Sequence, residues 1–308
     1  MNDREIVCPN LDAALETWRG AGFRLDSIYP ADDPHTAVLT REGEQVRLTS
    51  RPDASRPTSR LPPFQPGFLL ARGDSSESAG RAGMLYRDLI PGRSGGRYIA
   101  SLISIPNGGP VADWVHFHRI ALQLIYVRSG WVRVVYENQG EPFVMRAGDL
   151  VLQPPQIRHR VLESSAGLEV VELGCPALHE TLADHEMVLP NAINAERTFG
   201  GQRFLHHVAA RTPWTNFHGG EARETGICDA TGGLAEVRTI RGSQIDFPMH
   251  HGELVFGFVL DGSALLDFED GFELCASDAF VIPPGASWNI CDGSDDFRLL
   301  HVTSAQLG

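Results

Sequence analysis

At 308 residues the chain can bury a large core and divide it between two or three domains, since single cores seldom grow past about 250 residues. With 39 acidic against 26 basic residues and a formal charge of −13, it lacks the clustered positive charge that phosphate contacts need, which excludes a nucleic-acid partner. No apolar run reaches the roughly 18 residues that cross a bilayer, and the first residues hold no signal-like apolar core, so the expectation is no membrane partner and a cytoplasmic protein.

Frequent turns, from 32 glycines and 20 prolines, and an apolar period close to two make the chain mainly β. The five cysteines, Cys8, Cys175, Cys228, Cys275 and Cys291, are scattered and never form a C-x-x-C pair, so they read as small buried apolar residues. Residues 1–50 predict a small α+β module. Asn10 caps a helix whose Leu11, Ala14, Leu15 and Trp18 share one face and which Gly20 and Gly22 end; short strands follow over 23–28, 36–40 and 45–49. Residues 51–66, rich in Pro, Ser and Arg, form a linker. After a mixed approach from residue 67, eight short strands (97–105, 114–118, 123–127, 131–136, 143–145, 150–153, 159–162 and 168–173) fit one closed barrel ending at residue 175.

Residues 176–230 make a long connection, with a helix expected over the ALHETLADHEM stretch at 177–187. Its histidines, His179, His185, His206, His207 and His218, lack ligand spacing and read as surface or hydrogen-bonding residues. From 231 to 308 the barrel pattern repeats as an internal duplication. Aligning Gly262 with Gly130 puts Val255, His250, Pro248 and Trp288 where the first barrel has Gln123, His118, His116 and His159. One histidine cannot hold an open metal site, so the second barrel is kept for structure, with His250, His251 and Glu253 as lining for a small pocket.

The chemistry lies in the first barrel. His116 and His118 are two apart, so on a strand both imidazoles face one way, and a closed barrel folds His159 back over them. Neutral imidazoles suit Fe(II), Mn(II), Ni(II), Cu(II) or Zn(II). Gln123 is a weaker, uncharged donor; it either coordinates, leaving the metal more positive and receptive to an anionic substrate, or hydrogen-bonds the substrate or a bound water. Arg158 and Arg160 flank His159 and by alternation point away from the lumen. Tyr98, Trp114, Tyr126 and Trp131 read either as a pocket rim or, more in keeping with aromatic residues on strands, as core.

At these residues the chain resembles the cupin superfamily. Gly109, His116, His118, Gln123 and Gly130 follow its first signature, and Gly148, Pro154, Gln156, His159 and Glu163 its second. Gln123 stands in place of the usual acidic ligand, Gln156 in place of the turn glycine, and one extra residue separates Gly109 from His116. The resemblance implies a mainly β bicupin: two tandem cupin (jelly-roll) barrels, at 67–175 and 231–308, behind a small α+β N-terminal module. That module is similar to a half-module of the glyoxalase-like superfamily without its ligands, and reads as a packing or dimerisation piece. Bicupins with one working metal include ring-cleaving dioxygenases of the gentisate type, which commonly carry alanine where Gln123 stands. By that likeness His116, His118, His159 and Gln123 would serve one divalent ion, Fe(II) first and Zn, Mn or Ni as alternatives. The implied function is a dioxygenase using O2 on a small anionic aromatic or β-dicarbonyl-like substrate, with Gln123 coordinating or orienting it. A redox-neutral isomerase or lyase and a small-molecule-binding cupin with a structural metal stay open, and double cupins often form homodimers.

Overall fold

The computed structural model describes residues 3–58, 60–80 and 83–307. In the N-terminal module the helix Leu11–Gly20 starts where Asn10, in extended conformation, accepts the Ala13 N–H on its side-chain oxygen at 2.9 Å. It stops at Gly22, whose positive φ of 87° lets its N–H return to the Arg19 carbonyl at 2.9 Å. Ten residues are too few to hold a helix alone. Burial of Leu11 and Leu15, with Trp18, against Phe23, Leu39 and Leu48 supplies the rest, each fully buried leucine contributing about 1.5–3 kcal/mol. The helix lies on four strands, Arg24–Tyr29, Thr36–Arg41, Glu44–Thr49 and Asp3–Val7, of which the last two run parallel.

The rest of the chain is two jelly-roll barrels packed back to back. Each presents one sheet to the other: Leu122–Ser129 with Leu168–Cys175 and Ile99–Ile105 in the first, Leu254–Asp261 with Arg298–Ser304 and Ala235–Arg241 in the second. Alternation divides each strand between two cores. Leu122, Leu124 and Tyr126 meet Leu254, Phe256 and Phe258 across the interface, while Gln123, Ile125 and Val127 face the lumen of their own barrel. Both faces are therefore buried, which is why these strands read as almost unbroken apolar runs. A buried ion pair crosses the same interface: Arg97 holds Glu253 through two hydrogen bonds of 2.9 and 2.7 Å, and Tyr98 reaches Glu253 at 3.0 Å and Ser304 at 2.6 Å.

Strands are also exchanged between the parts. Leu69–Ala71, which precedes the first barrel, pairs with Ala279–Ile282 of the second; Leu205–His207, which precedes the second, pairs with Leu150–Leu152 of the first. The helix expected over 177–187 does not form. Thr181–Ala183 is instead a strand held between two others, Arg24–Tyr29 of the N-terminal module and His116–His118 of the first barrel. Hydrogen bonding to two neighbours outweighs the local helical pattern. The module's sheet thereby continues into the sheet that carries the histidines. No helix among the described residues is long and apolar enough to cross a membrane.

Candidate metal centre

His116 and His118 occupy the two ends of the three-residue strand His116–His118, both on its inner face, and His116 lies directly opposite His159 in the neighbouring strand. The three rings meet. Centroids are 4.2 Å apart for His116 and His159, 5.2 Å for His116 and His118, and 5.3 Å for His118 and His159. One ring nitrogen from each falls within a single group no wider than 4.8 Å, and all three residues are buried.

Backbone and side-chain contacts fix how the rings present themselves. Nδ1 of His116 is 2.8 Å from the Trp114 carbonyl and 3.4 Å from Oδ1 of Asp113; Nδ1 of His159 is 3.0 Å from the Ile157 carbonyl. A carbonyl can only accept, so in both rings Nδ1 carries the proton and the lone pair sits on Nε2. His118 has its Nδ1 3.2 Å from the Thr181 hydroxyl. Partners of this kind behind each ligand are what a metal-binding imidazole needs. The turn before His159 is tied to the first pair as well. Gln156, where the signature has glycine, adopts the left-handed conformation (φ 63°), and its N–H reaches the His118 carbonyl at 3.3 Å.

The triad opens on a cavity of about 100 Å³ inside the barrel. Its walls are mostly apolar, with Ile103, Ile125, Val134, Met145, Leu168 and Val170 among them, and among the described residues no arginine lines it. Gln123 lines the same cavity and donates from Nε2 to Oε1 of Glu172 at 2.5 Å. Tyr136 stacks on His159 at 5.3 Å, and its hydroxyl accepts from Gln153 at 2.9 Å. Burial, with the carboxylates of Glu172 and Asp113 adding to it, pushes the Tyr136 phenol well above its ordinary range, so it stays protonated. Three imidazoles, two of them with set tautomers, with the Asp113 carboxylate behind His116, the Glu172 carboxylate in the cavity wall and no cationic side chain in the lining among the described residues, fit a divalent cation.

Of the residues nominated from sequence, His116, His118 and His159 come together and Gln123 joins them in the cavity wall. Tyr98, Trp114, Tyr126 and Trp131 do not line it. Tyr98 and Tyr126 belong to the core between the barrels, and Trp114 packs on the core of the N-terminal module. Arg158 turns outward over the Phe117 ring and pairs with Asp184 at 2.9 Å, and Arg160 is exposed. His179 is buried with its ring 5.4 Å from His118 and its Nδ1 bonded to the Pro176 carbonyl. Sequence reading missed Glu172, Gln153, Tyr136 and Thr181. Glu172 left a signal, the second of two acids in the otherwise apolar run LEVVELGC and the one flanked by Val171 and Leu173, and it lies opposite Ile125 in the ladder, two residues on from Gln123 along the same inward face.

The second barrel shows the same scaffold without the site. Its ladder pairs Ile245 with Ile290 and Asp246 with Asn289, so the next step sets Phe247 against Trp288, and those rings stack at 3.8 Å. Phe247, and not Pro248, is thus the counterpart of His116; the Gly285 N–H bonds the His250 carbonyl as Gln156 bonds that of His118, which leaves one extra residue between the two positions. Val255 and Ile282 pair as Gln123 and Gln153 do, and His301 takes the place of Glu172. Aromatic rings fill the space that the histidines surround in the first barrel.

The Cupin domain family matches residues 101–173 of the chain. No curated protein matches it at the sequence level. Among solved structures, a putative glyoxylate induced protein from Pseudomonas aeruginosa is similar with 14% identity and a TM-score of 0.57, covering 82% of this chain and 94% of that one. The oxalate decarboxylase formate complex from Lactobacillus farciminis gives 14% and 0.56 over 82% and 88%. The protein Ylba from E. coli gives 11% and 0.55 over 80% and 94%. At such identities the likeness is one of fold.

Proposed function

We propose that the chain, whose first barrel matches the Cupin domain family and whose two barrels share the fold of known bicupins, is a bicupin whose first barrel is a mononuclear metal-dependent dioxygenase that takes a small, largely apolar substrate bearing one anionic oxygen group. The observation that carries this reading is a buried triad of imidazoles opening on a mostly apolar cavity that no cationic side chain lines among the described residues. His116, His118 and His159 would hold Fe(II), which when bound supplies the redox couple for O2 chemistry.

The rest is the work of the chain's own residues. A neutral ligand set leaves the full charge of the ion to attract one oxyanion of the substrate. The mostly apolar wall receives the body of the substrate, favours O2 over water, and among the described residues offers no cationic partner to a second carboxylate, whose burial without a counter-charge costs several kcal/mol. Oxalate, named for the decarboxylases of this fold, is doubly charged and has no apolar body, so it suits this cavity poorly. Gln123 is the polar group placed to coordinate or to orient the substrate; because Nε2 is given to Glu172, Oε1 is the atom it can turn toward either partner. Glu172 also favours a second reading, a redox-neutral isomerase or lyase with Zn, Mn or Ni, in which its carboxylate exchanges a proton with the substrate.

Oxygen uptake separates the two. The chain is stripped of metal, reloaded anaerobically with Fe(II) or with Zn(II), and assayed with an oxygen electrode against hydroxybenzoates and β-diketones. Substrate-dependent uptake with Fe(II) alone is expected. No uptake across the panel sinks the dioxygenase, and turnover with Zn(II) in the absence of O2 favours the second reading.

A further inference from the structure

The wall of the first cavity is not built by the barrel alone. Ala31 lines it, and Ala31 belongs to the N-terminal module, in the loop between strands Arg24–Tyr29 and Thr36–Arg41; among the described residues, the rest of the lining lies between Met84 and Glu172. That loop is fixed in place. Asp32, the next residue, is buried and ion-paired with Arg93, which stands in the approach to the first barrel. On the other side the Ala31 carbonyl lies against Gly80. A Cβ on Gly80 would come within 2.9 Å of that oxygen and 2.4 Å of the Tyr86 ring, itself part of the lining, so only glycine leaves both where they are.

The module also reaches the histidines. Thr181, whose hydroxyl meets Nδ1 of His118, pairs with Ile28 three positions before Ala31. Trp114, whose carbonyl meets Nδ1 of His116, packs on the hydrophobic core of the module. A domain that served only as packing would need neither contact.

We propose that the N-terminal module is a wall of the substrate cavity and that Ala31 sets the size of the group the cavity admits, a reading that rests on the first barrel being the metal-dependent site described above. In a space of about 100 Å³ an isobutyl group in place of the Ala31 methyl removes room that a ring-sized substrate needs, and glycine adds room. Hydroxamates test this because they chelate a metal through one small anionic head and can carry bodies of different size. The full-length chain and its Ala31→Leu and Ala31→Gly variants are loaded with Co(II), and acetohydroxamate, benzohydroxamate and 2-naphthohydroxamate are titrated against the visible absorption of the metal.

Co(II) content should be equal in all three chains. Ala31→Leu is expected to weaken benzohydroxamate by about tenfold or more and acetohydroxamate by no more than about twofold, in line with what a few methylenes do in a fitted pocket. Ala31→Gly, which adds no atom and so carries the test even if the leucine variant misfolds, is expected to tighten 2-naphthohydroxamate by about threefold or more. Normal Co(II) content with the same three affinities in every chain overturns the role of Ala31 alone. A wild-type chain that takes up no Co(II) overturns the metal-site reading and this proposal together.

Discussion

Acid should loosen the second barrel through one side chain. His301 is buried where the first barrel has Glu172, with its ring 5.0 Å from Phe247 and 5.7 Å from Trp288. Burial first, then the positive charges of Arg238 and His250, press its pKa down to about 3 from the ordinary 6.5. Because the folded value is the lower one, the unfolded chain takes up the proton first. The contribution of neutral His301 is complete above pH 6.5 and is lost as pH falls, by about 1.4 kcal/mol per unit, until the folded pKa is reached. Between pH 6.5 and 5.0 that amounts to about 2 kcal/mol. Urea unfolding followed by tryptophan fluorescence, at pH 7 and pH 5, measures it in the wild type and in His301→Met. His179, His206 and His207 are also held below their ordinary range by burial and act in both chains, so the difference between the two pH slopes isolates His301. Equal slopes would refute the reasoning, because they would mean that His301 charges inside the fold at no cost.

The ion pair between the barrels should be far more sensitive to the loss of one partner than of both. Arg97→Met leaves Glu253 buried with Tyr98 as its hydrogen-bond partner and is expected to cost about 3–5 kcal/mol in urea unfolding, most of it recovered in the Arg97→Met/Glu253→Leu double variant; a loss below about 1 kcal/mol in the single variant would show that water reaches the pair. Glu172 acts through Gln123, so Glu172→Gln should keep the metal and the thermal midpoint while kcat/KM for the substrate that the oxygen-uptake panel identifies falls about 10–100-fold. Unchanged kcat/KM in that variant would separate Glu172 from the reaction.

How much of this was legible in the sequence depended on whether the signal was local. The Asn10 cap, the H-x-H spacing and the short, turn-bounded apolar run along QLIYV each lie within a few residues, and each correctly foretold the element it belongs to. The partners of edge strands are not written locally. Nothing in the three residues Leu69–Ala71 says that they complete the second barrel, and nothing in Thr181–Ala183 says that two strands flank it, so a helical pattern was the only reading there. The one-residue error that put Pro248 at the position of His116 has the same origin, since an inserted residue is visible only in the ladder. Glu172 and Ala31 reach the cavity through register and docking, which a linear pattern does not carry.

Metal content is the most direct measure of whether the three imidazoles form a working site. The wild-type chain, His159→Ala and His250→Ala are each stripped, incubated with Fe(II) under nitrogen, desalted and analysed by mass spectrometry of the metal, with circular dichroism as the check on folding. One ion per chain is expected in the wild type and in His250→Ala, and none in a folded His159→Ala. A folded His159→Ala chain that keeps its ion tightly, or a His250→Ala chain that loses it, would contradict the assignment of the site to the first barrel.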